Sequence, residues 1–378
     1  MKVTSYRDAW VEVSLDALTY NVRQFKNHLR GQSRLMAVVK ADGYGHGAVP
    51  IARRSLEAGA EFLGVAFIDE ALQIREAGIL APILLLGYTP SHAVREAVKH
   101  DLTLTVYSAE TLEAIKDAAH SLQKKAKVHI KIDSGMSRIG LRSSDEVLSL
   151  MTSLQSQSEH IEVEGIFTHF ADADNGESDA YTYKQFEAFQ GIIEALENEG
   201  YTIPIKHCCN SAATIAFPEM HMDMVRVGIS LYGLYPGQHL KEIMSLQQVM
   251  SFKAKPVLVK EVPPHQPISY GLTYETKETT KIATLPIGYA DGFSRLLSNK
   301  GHVTVHEIEC PIVGRICMDQ SMIDVTAVQT DVTKDDIVTI FGDESAGFIP
   351  LDVVADQMQT IHYETVCLIG KRVPRHYV

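Results

Sequence analysis

Eight short apolar runs recur between Leu35 and Ile229, and the stretches between them carry helical spacing. The runs are "LMAVVKA" (35–41), "FLGVAF" (62–67), "PILLLGY" (82–88), "LTLTVYS" (102–108), "KVHIKID" (127–133), "VEGIFTHF" (163–170), "IKHCCN" (205–210) and "MVRVGI" (224–229). Continuous apolar strands of this length are buried on both faces, as in a parallel sheet. Between them, stretches such as "HGAVPIARRSLEAGA" and "DEALQIREAG" repeat apolar residues at three- and four-residue intervals. Gly59 and Gly78 stand where helix C-termini are expected, and 177–200 reads as a longer helix stopped by Gly200. Eight strands alternating with helices predict a (β/α)8 barrel, a TIM-like fold. A doubly wound open sheet is the rival, and no GxGxxG follows the first strand.

The pattern changes after Leu240. Strand-like, turn-rich sequence takes over until "LDVVADQMQ" (351–359), where helical spacing returns. The expected division is an α/β barrel over residues 1–240 and a mainly β domain over 241–378. A formal net charge of −12 argues against a nucleic-acid partner. No run is long enough to span a membrane. Five cysteines without a CxxC pair suit a reducing compartment better than a disulfide framework. The N-terminus lacks the apolar core of a signal peptide, so the expected location is cytoplasmic.

A barrel concentrates its chemistry at the C-terminal ends of its strands. Lys40 ends the first run, and Arg138 follows the fifth in "DSGMSRIG". His169 ends the sixth run, and Asn210 and Ser211 end the seventh. Arg226 lies within the eighth, just ahead of Gly228 and Ile229. A lone strand-end lysine is ordinarily a solvated charge. Here it precedes Gly43, Gly45 and Gly47, which allow tight turns and close approach of backbone to a ligand. A buried lysine of lowered pKa can form a Schiff base with a carbonyl. The loops after strands seven and eight are a frequent phosphate site in this fold. Two readings fit a nucleophilic lysine beside a phosphate site: pyridoxal 5′-phosphate as cofactor, or a phosphorylated sugar as substrate.

"AVVKADGYGHGA" (37–48) resembles the pyridoxal-phosphate attachment motif of the alanine racemases. "KIDSGMSRIG", "GIFTHFADAD", "HCCNSAA", "MVRVGISLYG", "ISYGLTY", "PIGYADGFSR", "GRICMDQ" and "IHYETVC" resemble further blocks of that family, in the family's order. The resemblance implies a barrel followed by a β domain, and a homodimer whose active sites are shared between subunits. It implies that Lys40 carries the cofactor, and that Tyr44, Ser211, Gly228, Ile229 and Tyr363 bind its phosphate. It sets Arg226 against the pyridine nitrogen, and Arg138 against the phenolic oxygen and the substrate carboxylate. Tyr270, with Met318 beside it, becomes a second base supplied by the other subunit, and His169 its hydrogen-bond partner. Lys131 matches a position that is carbamylated in many members. Asp174, Tyr274, Arg295, Arg315 and Ile361 match positions lining the substrate entry. The activity implied is interconversion of L- and D-alanine, with D-alanine supplied to peptidoglycan.

Ser137 stands where glycine is common in the family, and "HCCNSAA" carries a second cysteine. Three rivals remain. One is a related racemase acting on serine or lysine. Another is a basic-amino-acid decarboxylase, which lacks the "ISYGLTY" tyrosine. The third is a single-barrel cofactor-binding protein, which lacks a second domain.

Overall fold

The eight apolar runs form eight parallel strands in one sheet. The structure is a computed structural model and describes residues 5–156 and 159–378. In chain order, β1 is Ala9–Val13, and the sheet comprises β2 (Arg34–Val38), β3 (Phe62–Val65), β4 (Ile83–Leu85), β5 (Thr103–Val106), β6 (Ala126–Lys131), β7 (Ile161–Phe167), β8 (Ile205–His207) and β9 (Met224–Val227). The strands from β2 to β8 pair in sequence order, and β9 returns to pair with β2, Met36 opposite Arg226. The ring closes on its last side through two backbone bonds. Asp223 N–H donates to the Lys206 carbonyl at 3.0 Å, and Arg226 N–H to the Cys209 carbonyl at 3.1 Å. A closed parallel sheet with helices between its strands is the expected (β/α)8 barrel.

Met36, Phe62, Leu84, Phe167, Ile205 and Met224, one residue from each of six strands, pack into a buried cluster. This cluster makes the barrel a filled core, so polar side chains inside it need partners. The helix expected over 177–200 runs Ala180–Asn198, with Gly200 left-handed just past its end.

The chain divides into two compact units. One comprises Leu18–Gly43 and Ala48–Leu246; the other comprises Gln247–Val378 with the described residues up to Ala17 and the segment Tyr44–Gly47. The sequence reading put the N-terminal residues with the barrel. In the structure β1 pairs antiparallel with β10 (Met250–Ala254), Val11 opposite Phe252, and so belongs to the second unit. Its alternation explains this, because Ala9, Val11 and Val13 are buried while Trp10 and Glu12 are half-buried. One-sided burial suits a sheet with one solvated face better than a barrel wall.

The second unit is built mainly from β-sheets of six, three and two strands. It also carries two short helices. Leu351–Gln357 falls where the spacing put it, and His362–Leu368 was not anticipated. Among the described residues, no helix is long and apolar enough to cross a membrane.

Candidate active site

The first unit gathers its site at the strand ends. Lys40 does not end a strand, as the sequence suggested; β2 stops at Val38, and Lys40 opens a turn. The following five residues, Ala41 to Gly45, all have positive φ, between 51° and 77°. For Ala41, Asp42 and Tyr44 this conformation costs about 1 kcal/mol each, a strain concentrated at functional sites. Local bonds hold the turn in place. Gly43 N–H donates to the Val39 carbonyl at 2.9 Å, and Asp42 Oδ1 accepts from Ala48 N–H at 2.8 Å. The Glu70 carboxylate accepts from Ala41 N–H at 2.6 Å and from Ala66 N–H at 2.7 Å, tying the turn to the loop after β3.

Arg226 is the most constrained group of the site, at 3% exposure. Its Nη1 donates to His207 Nδ1 at 2.9 Å. Its Nη2 donates to the carbonyls of Thr168 at 2.8 Å and Cys208 at 2.9 Å, and lies 3.3 Å from His169 Nδ1. Among the described residues its Nε–H has no acceptor. Burial lowers the guanidinium to about 10, still protonated at neutral pH. A fixed buried cation with a spare donor is thus met by imidazoles and carbonyls and, among the described residues, by no carboxylate.

The loops after β8 and β9 meet through Ser211, whose hydroxyl accepts from Gly228 N–H at 2.9 Å. Asn210 caps the short helix Ser211–Ala216 by accepting from Ala213 N–H at 3.0 Å. Ser211, Gly228 and Ile229 are all buried.

Lys131 lies inside the barrel, its amine 4.7 Å from the centre of the Phe167 ring. Burial drives its pKa well down, helped by the charges of Arg226 and Arg138; Asp133 acts the other way and is outweighed. Arg138 and Asp174 are exposed.

His207 and His129 were missed in the sequence, yet both are fully buried beside Arg226. The signal was the period of two in "VHIK", which puts His129 on the same inward face as Lys131. Burial lowers the pKa of both imidazoles, with Arg226 adding to the effect at His207 and the Glu164 hydrogen bond opposing it at His129. Protonation on unfolding gives the sign of the pH dependence. The unfolded chain binds protons below about pH 6.5 that the folded chain refuses, so stability is intact above that pH and falls below it. The two enclosed imidazoles therefore make the protein easier to unfold at about pH 5.5 than at pH 7. Urea midpoints measured at the two pH values test this; an unchanged midpoint contradicts it.

In the second unit, Tyr44 is buried and its ring stands 6.4 Å from that of Tyr363, on the helix that the sequence did not reveal. Gly45 cannot be replaced there, because a Cβ would collide with the Val366 carbonyl. Tyr270 sits in a second strained loop, with positive φ at Ser269, Gly271 and Leu272. Ser269 Oγ donates to the Arg315 carbonyl at 2.6 Å. The loop leaves Tyr270 73% exposed at the edge of a cleft of about 750 Å³. Arg295, Arg315 and Met318 line the same cleft, so four of the expected residues come together. Tyr274 lies on the short strand Tyr274–Glu275, and Ile361 precedes the helix His362–Leu368 at 60% exposure.

The sequence model described as alanine racemase, N-terminal domain, matches residues 13–236, and that of the alanine racemase C-terminal domain matches 249–377. Alanine racemase 1 of Oceanobacillus iheyensis is 90% identical over 378 residues, covering 100% of both chains. The alanine racemase of Methanococcus maripaludis is 48% identical over 98% of each chain. Among solved structures, alanine racemase from Clostridium difficile aligns with a TM-score of 0.94 at 41% identity, covering 100% of this chain and 97% of that one. Alanine racemase from Bacillus anthracis, solved with bound L-Ala-P, aligns with a TM-score of 0.93 at 39% identity, covering 100% and 96%. These likenesses span both units, and the chain is accordingly an isomerase, a racemase of the barrel type. It belongs to the alanine racemase family.

Proposed function

We propose that this chain interconverts L- and D-alanine with pyridoxal 5′-phosphate, using Lys40 and a second copy's Tyr270 as opposed bases. The observation that carries the reading is Arg226, a buried guanidinium caged by imidazoles and carbonyls with its Nε–H unspent. The residues fit the cofactor. Ser211, Gly228 and Ile229, with Tyr44 and Tyr363, would hold its phosphate, and Arg226 would donate to its ring nitrogen. Asn210 fixes the start of the helix that carries Ser211. When bound, the cofactor's conjugated ring draws electrons from the substrate α-carbon and makes its proton acidic.

Racemisation removes that proton from one face and returns one to the other, so a single base is insufficient. The Lys40 amine serves one face and abstracts from the D-isomer; the Tyr270 phenol serves the other and abstracts from the L-isomer. An unperturbed phenol has a pKa of about 10, and His169 and Arg226 would help Tyr270 lose its proton. Arg138 and Met318 orient the substrate carboxylate. Asp174, Tyr274, Arg295, Arg315 and Ile361 shape its approach. Because a guanidinium does not surrender its proton, Arg226 would donate a hydrogen bond to the ring nitrogen without protonating it.

The Lys131 amine is pushed toward its neutral form, which is the form that adds carbon dioxide. The carbamate so formed is an anion facing Arg138. A carbonyl resonance appearing when the enzyme is exchanged into 13C-bicarbonate is expected; its absence in a protein of unmodified Lys131 removes the assignment.

The setting proposed is a cytoplasmic homodimer that supplies D-alanine for peptidoglycan. The test is to incubate the purified enzyme with L-alanine, L-serine and L-lysine and resolve the enantiomers. D-alanine as the dominant product is expected. Preference for serine or lysine, or release of carbon dioxide without a D-isomer, contradicts the reading.

A further inference from the structure

A chain of hydrogen bonds crosses the barrel interior from Arg226 to a carboxylate that the reaction does not use. Arg226 Nη1 meets His207 Nδ1 at 2.9 Å, His207 Nε2 meets His129 Nδ1 at 2.8 Å, and His129 Nε2 meets Glu164 Oε2 at 3.3 Å. His207 and His129 have no solvent exposure, and Glu164 has 8%. The four groups stand on β9, β8, β6 and β7.

The direction of every bond follows from its two ends. A guanidinium has donors only, so Nη1 donates and His207 Nδ1 must offer a lone pair. His207 is neutral in this buried place, so its proton sits on Nε2 and is donated to His129 Nδ1. His129 then carries its own proton on Nε2, pointing at Glu164 Oε2. A carboxylate accepts only, and the order ends there. Burial works against the Glu164 charge, but hydrogen bonds from His129 and from Lys127, whose Nζ is 2.5 Å from Oε1, bring it down to about 2. Reversing the order needs a deprotonated arginine or a protonated Glu164, and both are unfavourable at neutral pH.

We propose that Glu164 is a positioning residue for Arg226, acting through His129 and His207. Its negative charge fixes the His129 end of the order as Arg226 fixes the His207 end, and the joined tautomers fix which edge of the guanidinium is tethered. The arrangement gives a buried cation its counter-charge two imidazoles away, so no carboxylate need stand beside the ring-nitrogen site. The tautomer order stands on the bond geometry and on the ionisation states of the groups in the chain. Its effect on racemisation rests on the assignment of Arg226 to the ring nitrogen.

In Glu164→Gln the side chain can donate as well as accept, so the order is no longer imposed. With 15N-labelled histidine in the holoenzyme, wild type is expected to show His129 and His207 protonated on Nε2 and bare on Nδ1. E164Q is expected to show Nδ1 protonation at His129, while the Arg226 donor keeps His207 Nδ1 bare. Coupling carried through positioning of this kind amounts to roughly a tenfold loss in kcat with KM within about twofold. E164D, which keeps the charge, is expected to recover most of the rate. His129→Asn cuts the chain without touching the carboxylate and, if E164Q does not fold, carries the same kinetic test. An Nδ1-protonated His207 in wild type overturns the proposal. So does an E164Q or H129N enzyme with wild-type kcat, which would leave the racemase reading standing; a wild-type enzyme that racemises no amino acid would instead sink that reading.

Discussion

Lys40→Ala is expected to lower kcat for alanine racemisation by roughly 10⁴-fold or more, in both directions. On the roles proposed for it, the substitution would remove two functions at once, the amine that holds the cofactor and the base for one face of the substrate. It also separates chemistry from folding. Lys40 is only partly buried, and Asp42, Gly43 and Glu70 tie the left-handed turn behind it. The variant should therefore melt near wild type while its visible absorbance from lysine-bound cofactor disappears. An enzyme of this genotype that keeps a tenth of its racemase activity would remove Lys40 from the chemistry.

The second large effect is at Tyr270. Tyr270→Phe deletes one oxygen from a side chain that is mostly solvent-exposed, so stability should move by less than about 0.5 kcal/mol. Loss of a general base is worth about 10²–10⁴-fold in kcat. A large kinetic loss without a stability loss is hard to explain for a tyrosine at the surface of an isolated chain. It is expected if the phenol completes a site on another copy. The strain at Ser269 and Leu272 supports that view, because it holds an aromatic side chain out into solvent.

Much of this was legible in the chain itself, for identifiable reasons. A barrel strand is apolar throughout, so all eight runs announced themselves, and the barrel rule then picked out which polar residues to read at their ends. β1 escaped because its meaning lies in its partner, and Ala9 pairs with Ala254 far along the chain. The helix bearing Tyr363 escaped because "HYETVCL" is too short to show a period. The left-handed turn after Val38 was half visible. Glycines predicted tight turning, but nothing local predicted that Ala41, Asp42 and Tyr44 would share the conformation. The Glu164–His129–His207 chain was invisible because it depends on the register of adjacent strands, with His129 opposite Gly165, where a Cβ would press into its ring.

Lys40 and Tyr270 are proposed to act together from different copies of the chain. Mixing purified Lys40→Ala and Tyr270→Phe proteins under conditions that exchange subunits tests it directly. Each alone is expected to be almost inactive. In a mixed dimer one site has lost both bases and the other has kept both, so random exchange should restore roughly a quarter of wild-type activity. If the exchanged mixture stays as inactive as its components, the two bases do not meet across a dimer, and the account is wrong.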